Sequence, residues 1–192
     1  MKQLVTYSLM AGMILAAALA QGQGIDKKKL MTDNTQSPGA ETAADIGGKH
    51  IWIYYHAPSV NSRKIFNGAG ALQPDESVWR LGADFATVLH TDANLDLNGL
   101  NVPAGDYSLY VALNKGKWDL IVNKKTGQWG INRDGTTTDV PADELGRTAM
   151  TMSKPASPAE KLKIDLAHTS GNRGKINVAW ENVEASVPFT VK

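Results

Sequence analysis

The 192 residues include no cysteine, which excludes disulfides, cysteine-ligated zinc, iron-sulfur clusters and thiol catalysis together. Surplus charge is missing too: 20 Lys and Arg stand against 19 Asp and Glu, a formal net charge of +1. A grip on nucleic acid or anionic lipid needs a basic excess or stripe, so neither partner is expected. There is no G-x-S-x-G elbow, H-E-x-x-H pair, Walker loop, EF-hand loop or G-x-G-x-x-G following a strand. Each of these motifs carries a defined chemistry, and their absence narrows the field. It does not close it, because hydrolases and glycosidases also assemble their groups from distant strands. The four histidines, His50, His56, His90 and His168, are never closer than six positions. That spacing gives no local metal-ligand pattern, so neither a metal nor a cofactor is expected.

What is present begins with a leader. No charged residue occurs from Gln3 to Ile25, the apolar block Leu9 to Ala20 follows Lys2, and Ala18-Leu19-Ala20 supplies a small-x-small cleavage pattern. This reads as a signal peptide over residues 1–20, and it implies an exported chain, periplasmic or extracellular, with no membrane span after cleavage. Residues 21–45 hold only Ile25, Leu30 and Met31 as large apolar groups, so they read as a flexible polar segment.

From residue 46 to 192 the pattern becomes short runs with a period of two, separated by Gly, Asn, Asp and Pro clusters, as in a single β domain. Ile51, Ile53 and Tyr55 share one face of the first run and Trp52, Tyr54 and His56 the other. Both faces are apolar, so this strand is expected to be central or covered. Asn98-Gly99 suits a two-residue hairpin turn between Leu95/Leu97 and Leu100/Val102. Further runs fall at 77–81, 85–91, 106–113, 118–122, 147–153, 162–168, 176–180 and 185–191, with one helical turn after Asp139-Val140-Pro141. Pro188 on the outer parity of the last run suggests an edge strand. The count of about nine to eleven strands with little helix predicts an all-β fold, an antiparallel β-sandwich or jelly-roll. A closed barrel is the structural alternative.

The polar and aromatic residues that could carry function gather in Tyr54-Tyr55-His56, Arg63 and Trp79-Arg80 to Asp84. In a strand, Trp79 and Arg80 point to opposite faces, so a core Trp79 sends Arg80, Gly82 and Asp84 outward. Arg63 and Arg80 then serve as forked donors in a cleft for a carboxylate, phosphate or sugar, with Gly82 admitting a partner close to the backbone. Alternatively, one arginine pairs with Asp84 to pin a loop. Trp52, Trp118 and Trp180 sit in alternating runs and read as core. Trp129 lies between Gly127 and Gly130 in a turn-rich stretch, either presented to solvent as a sugar platform or folded over a sheet end. Candidate ligand-binding residues are thus Arg63, Arg80, Asp84, His56 and Trp129, and no catalytic residue is assigned.

Several blocks resemble a family of exported bacterial proteins catalogued as domain of unknown function 2911. They are Tyr55-His56-Ala57-Pro58-Ser59, Arg63-Lys64-Ile65-Phe66, Val78 to Thr87 (VWRLGADFAT), Pro103 to Tyr110 (PAGDYSLY), Trp118 to Asn123, and Trp180. The resemblance implies an exported, mostly β domain with no established activity, and it transfers no catalytic residue. The expectation is non-enzymatic binding of a small polar ligand, glycan or envelope partner. Two alternatives stand beside it. One is an envelope hydrolase acting on a sugar or ester, with Asp84, His56 or His90 as acid-base groups. The other is a structural protein-interaction domain that uses a strand edge.

Overall fold

A computed structural model describes residues 25–32 and 35–192; the leader read at residues 1–20 lies outside them. The elements are α1 (Lys27–Thr32), β1 (Gly39–Ile46), β2 (Lys49–His56), β3 (Ser77–Trp79), β4 (Thr87–Thr91), β5 (Leu95–Leu97), β6 (Leu100–Val102), β7 (Gly105–Asn114) and β8 (Lys117–Asn123). They continue with a 3-10 turn (Pro141–Asp143), β9 (Glu144–Ala149), β10 (Thr151–Ser153), β11 (Ala159–Ser170), β12 (Arg173–Glu181) and β13 (Val183–Val191). Two antiparallel sheets form. One runs β1-β2-β4-β7-β8-β9 with β3 also on β7; the other runs β11-β12-β13-β5-β6 with β10 also on β13. The fold is all-β, and the 13 strands exceed the nine to eleven expected because β1 and the split of β9 from β10 are not visible in the alternation. No helix among the described residues is long and apolar enough to cross a membrane.

Period-two alternation makes the core. Ile51, Ile53, Leu89, Leu109, Val111, Leu120 and Val122 from the first sheet meet Leu95, Leu97, Ile164, Ile176, Val178, Val187 and Phe189 from the second, all buried. The edge strand β11 is tied across the gap to β2 and β1 by side chains. Tyr55 Oη accepts the Ile164 N–H at 3.0 Å and Thr42 Oγ1 accepts the Leu166 N–H at 3.0 Å. Edge-strand donors that would otherwise be buried unpaired are satisfied this way. At one end Phe66, Trp79, Trp118 and Trp180 form an aromatic plug, with Trp79 stacked on Trp180 at 5.6 Å.

Three expectations are corrected. Residues 21–45 are not a free tether over their described part: Gly39–Ile46 pairs along the whole of β2, and Leu30 is buried against Tyr54, Phe85 and Val88. Leu30, with Ile25 partly buried beside it, covers an apolar outer face that β2 already presents, while Met31 stays exposed. Trp52 is half-buried on that outer face, stacked on His90 at 5.2 Å with Lys27 Nζ 4.5 Å from its ring, and so lies outside the main core. Finally, β13 is internal to its sheet. β10 pairs with residues 184–186 and β5 with residues 189–191 on one side, so Pro188 falls in the gap between them. On that side its missing N–H breaks no ladder bond.

The Asn98-Gly99 turn takes φ of 50° and 95°, the positive angles that a tight hairpin between β5 and β6 requires.

Candidate functional site

The loop from Arg80 to Ala86 between β3 and β4 is held on all sides. Trp79 Nε1 donates to the Gly82 carbonyl at 3.2 Å, Thr87 Oγ1 to the Leu81 carbonyl at 2.8 Å, the Ala83 N–H to the His56 carbonyl at 3.1 Å and the Gly130 N–H to the Asp84 carbonyl at 2.8 Å. Among the described residues, six of the nine non-glycine residues with positive φ lie between Asn61 and Asp84, Leu81 (53°) and Asp84 (57°) among them. A leucine in the left-handed region is strained, and such strain persists only where the surroundings over-determine it. Gly82 is needed for a neighbour within the chain: an added Cβ would sit 3.1 Å from the His56 carbonyl oxygen and from Thr87 Oγ1. Its compactness serves loop packing against β2, and Gly82 also lies in the lining of the cavity formed there.

This loop, the 58–63 and 72–73 loops and residues 36–37 enclose a cavity of about 210 Å³ at the aromatic end of the sandwich. Ser37, Arg63, Gln73, Arg80, Asp84 and Trp180 line it. Three of the five residues singled out from sequence therefore meet in one cavity. Trp79 is fully buried and Arg80 turns to the opposite side. The Arg80 stem lies over Gly130, where an added Cβ would stand 2.3 Å from Arg80 Cδ. Among the described residues its guanidinium makes one long hydrogen bond, from Nε to the Gly82 carbonyl at 3.4 Å, and Nη1 is buried with no partner. Burial pushes the Arg80 pKa down against the pull of Asp84 and Tyr110.

Asp84 is buried, and its Oδ2 accepts the Ser37 N–H at 2.9 Å. Neither arginine forms an ion pair with it among the described residues, so the pinning alternative finds no bond. Arg63 is exposed and donates from Nε to the Val60 carbonyl at 3.0 Å and from Nη2 to the Ser59 carbonyl at 2.6 Å.

The other two candidates lie apart. His56 is buried behind the loop, its ring near Tyr54 and Phe85 and its Nδ1 unpartnered. Burial pushes its pKa down, outweighing the attraction of Asp84. Trp129 is 42% exposed and packs edge-on against Phe85 at 5.2 Å, outside the cavity lining. Sequence reasoning missed Trp180 and Ser37. Trp180 reads as core and is core, yet the residue also lines the cavity and its Nε1 is buried without a partner. No sequence signal marks an indole N–H as unpaired.

Elsewhere, His90 bridges Asp106 (Nδ1 to Oδ1, 2.7 Å) and Asp92 (Nε2 to Oδ1, 3.1 Å), and Asp106 Oδ2 accepts the Ile25 N–H at 3.2 Å. Burial opposes a charged His90, but the bonds to Asp106 and Asp92 outweigh it and raise its pKa. Among the described residues no three His, Asp or Glu side chains converge to hold a metal ion. A larger depression of about 420 Å³ lies on the second sheet, where Asp96 is already paired with Lys192 at 3.0 Å. The end cavity differs in joining unpartnered buried donors to a buried carboxylate.

Fold and site together define an all-β sandwich protein with a polar cavity at one end of its core. The chain belongs to the DUF2911 family, described as proteins of unknown function, which it matches over residues 37–189. Comparison with curated proteins and with solved structures gives no match.

Proposed function

We propose that this protein is an exported, non-enzymatic binding domain whose end cavity takes a small polar ligand. The observation that carries the reading is Arg80: a half-buried side chain lining the cavity, with Nη1 buried and unpartnered, beside an aspartate it does not bond. A buried charged donor without an acceptor is costly, and folded proteins retain one chiefly where something else supplies the acceptor. About 210 Å³ gives room for a small metabolite or one sugar ring. The residue 1–20 leader pattern supports export.

A thermal-shift screen of small anions, polyols and monosaccharides tests the reading. Ligands of the cavity are expected to raise the melting temperature with concentration, and Arg80→Gln is expected to abolish that rise. A rise that survives in Arg80→Gln would place the ligand elsewhere.

A further inference from the structure

Resting on the proposed binding role, we infer that the ligand is a small hydroxycarboxylate, its carboxylate taken by Arg80 and its hydroxyl by Asp84. The cavity offers donors and an acceptor of distinct character. The Arg80 and Trp180 side chains both line it, and Arg80 Nη1 and Trp180 Nε1 are buried without an acceptor. A guanidinium fork matches a carboxylate with two parallel bonds, and one indole N–H can add a third donor.

Asp84 sets the second requirement. Its Oδ2 is occupied by the Ser37 N–H, whereas Oδ1 accepts no hydrogen bond among the described residues. A carboxylate can only accept, so a ligand that seats well must bring a donor to it. It also repels an anion with nothing to donate.

Charge selects among anions. Arg63 and Arg80 against Asp84 leave one net positive charge on the wall, which complements a monoanion. A phosphate dianion would face Asp84 with surplus charge, and a zwitterionic amino acid would leave the positive charge uncompensated. Leu72 and Pro58 complete the lining with apolar surface fit for a short carbon chain. The cavity has room for a chain of a few carbons.

Isothermal titration of the purified protein with lactate, propionate, lactamide and glucose tests this assignment. Lactate is expected to bind. Propionate, which lacks the hydroxyl, is expected to bind at least about tenfold more weakly, and lactamide, which lacks the charge, not measurably. Asp84→Asn is expected to bring the lactate-to-propionate ratio below about threefold by removing the repulsion. Arg80→Gln is expected to abolish binding of both acids, with Arg80→Lys retaining part of it if the glutamine variant fails to fold. Equal affinity for lactate and propionate, or binding of lactamide as tight as that of lactate, overturns the inference. Binding of glucose alone would leave the binding role standing and remove the hydroxycarboxylate; no binding of any of the four would count against both.

Discussion

Replacing Arg80 with methionine separates a residue kept for binding from one kept for stability. The unbranched methionine retains the stem over Gly130 and removes the charged head. What is lost is one 3.4 Å hydrogen bond to the Gly82 carbonyl and the attraction to Asp84. What is gained is the release of a desolvated guanidinium whose Nη1 is unpartnered. A long neutral-acceptor bond contributes about 0.5 kcal/mol and an unsatisfied buried charged donor costs about 1–3 kcal/mol. Asp84 loses a favourable neighbour, which offsets part of the gain, so we expect Arg80→Met to be about 1 kcal/mol more stable. For a domain of this size that is a rise of about 2–4 °C in melting temperature. Thermal unfolding followed by circular dichroism at neutral pH provides the measurement. The double variant Arg80→Met with Asp84→Asn, which also removes the carboxylate left behind, should be at least as stable as the single variant. A fall of more than about 4 °C in Arg80→Met would refute the reasoning, because it would mean that the arginine stabilises the apo fold.

Other consequences follow from the same geometry. Gly130→Ala should cost about 1–3 kcal/mol, because its Cβ would overlap the Arg80 stem; in an Arg80→Ala background the cost should shrink, as denaturant titration of the cycle would show. Gly99→Ala should cost about 1–2 kcal/mol, since φ of 95° in the β5–β6 turn is unfavourable for any side chain; an unchanged denaturation midpoint would contradict it. The histidines should make stability depend on pH in opposite senses. His90 titrates above the ordinary 6.5, so its bonds to Asp106 and Asp92 contribute fully below that value and fade as pH rises through its folded-state pKa. His56 titrates below 6.5, so the stability of its neutral form is lost as pH falls from 6.5 through its folded-state pKa. Melting curves across this range should flatten on the alkaline side in His90→Gln and on the acid side in His56→Gln.

Much of the framework was legible because alternation is a local property. Ile51, Ile53 and Tyr55 against Trp52, Tyr54 and His56 announced a strand covered on both faces, and β2 is one, lying between β1 and β4 with Leu30 over its outer face. Opposed parity also put Trp79 and Arg80 on opposite faces, and the structure places Trp79 inside. β1 escaped notice because Gly39–Ile46 carries small and polar side chains whose strand character comes from pairing with β2, and Pro188 misled because an internal strand can leave a gap between two short neighbours.

The residue types themselves determined a cysteine-free, nearly neutral all-β chain with a core of every second side chain, since period and composition act over a few neighbouring residues. Only the tertiary structure decided that Arg63, Arg80, Asp84 and Trp180 share one cavity while His56 and Trp129 do not. It alone showed which buried polar atoms go unpaired. Hydrogen-bond satisfaction depends on groups brought together from as far apart as Ser37 and Trp180, and no local pattern along the chain encodes that distance.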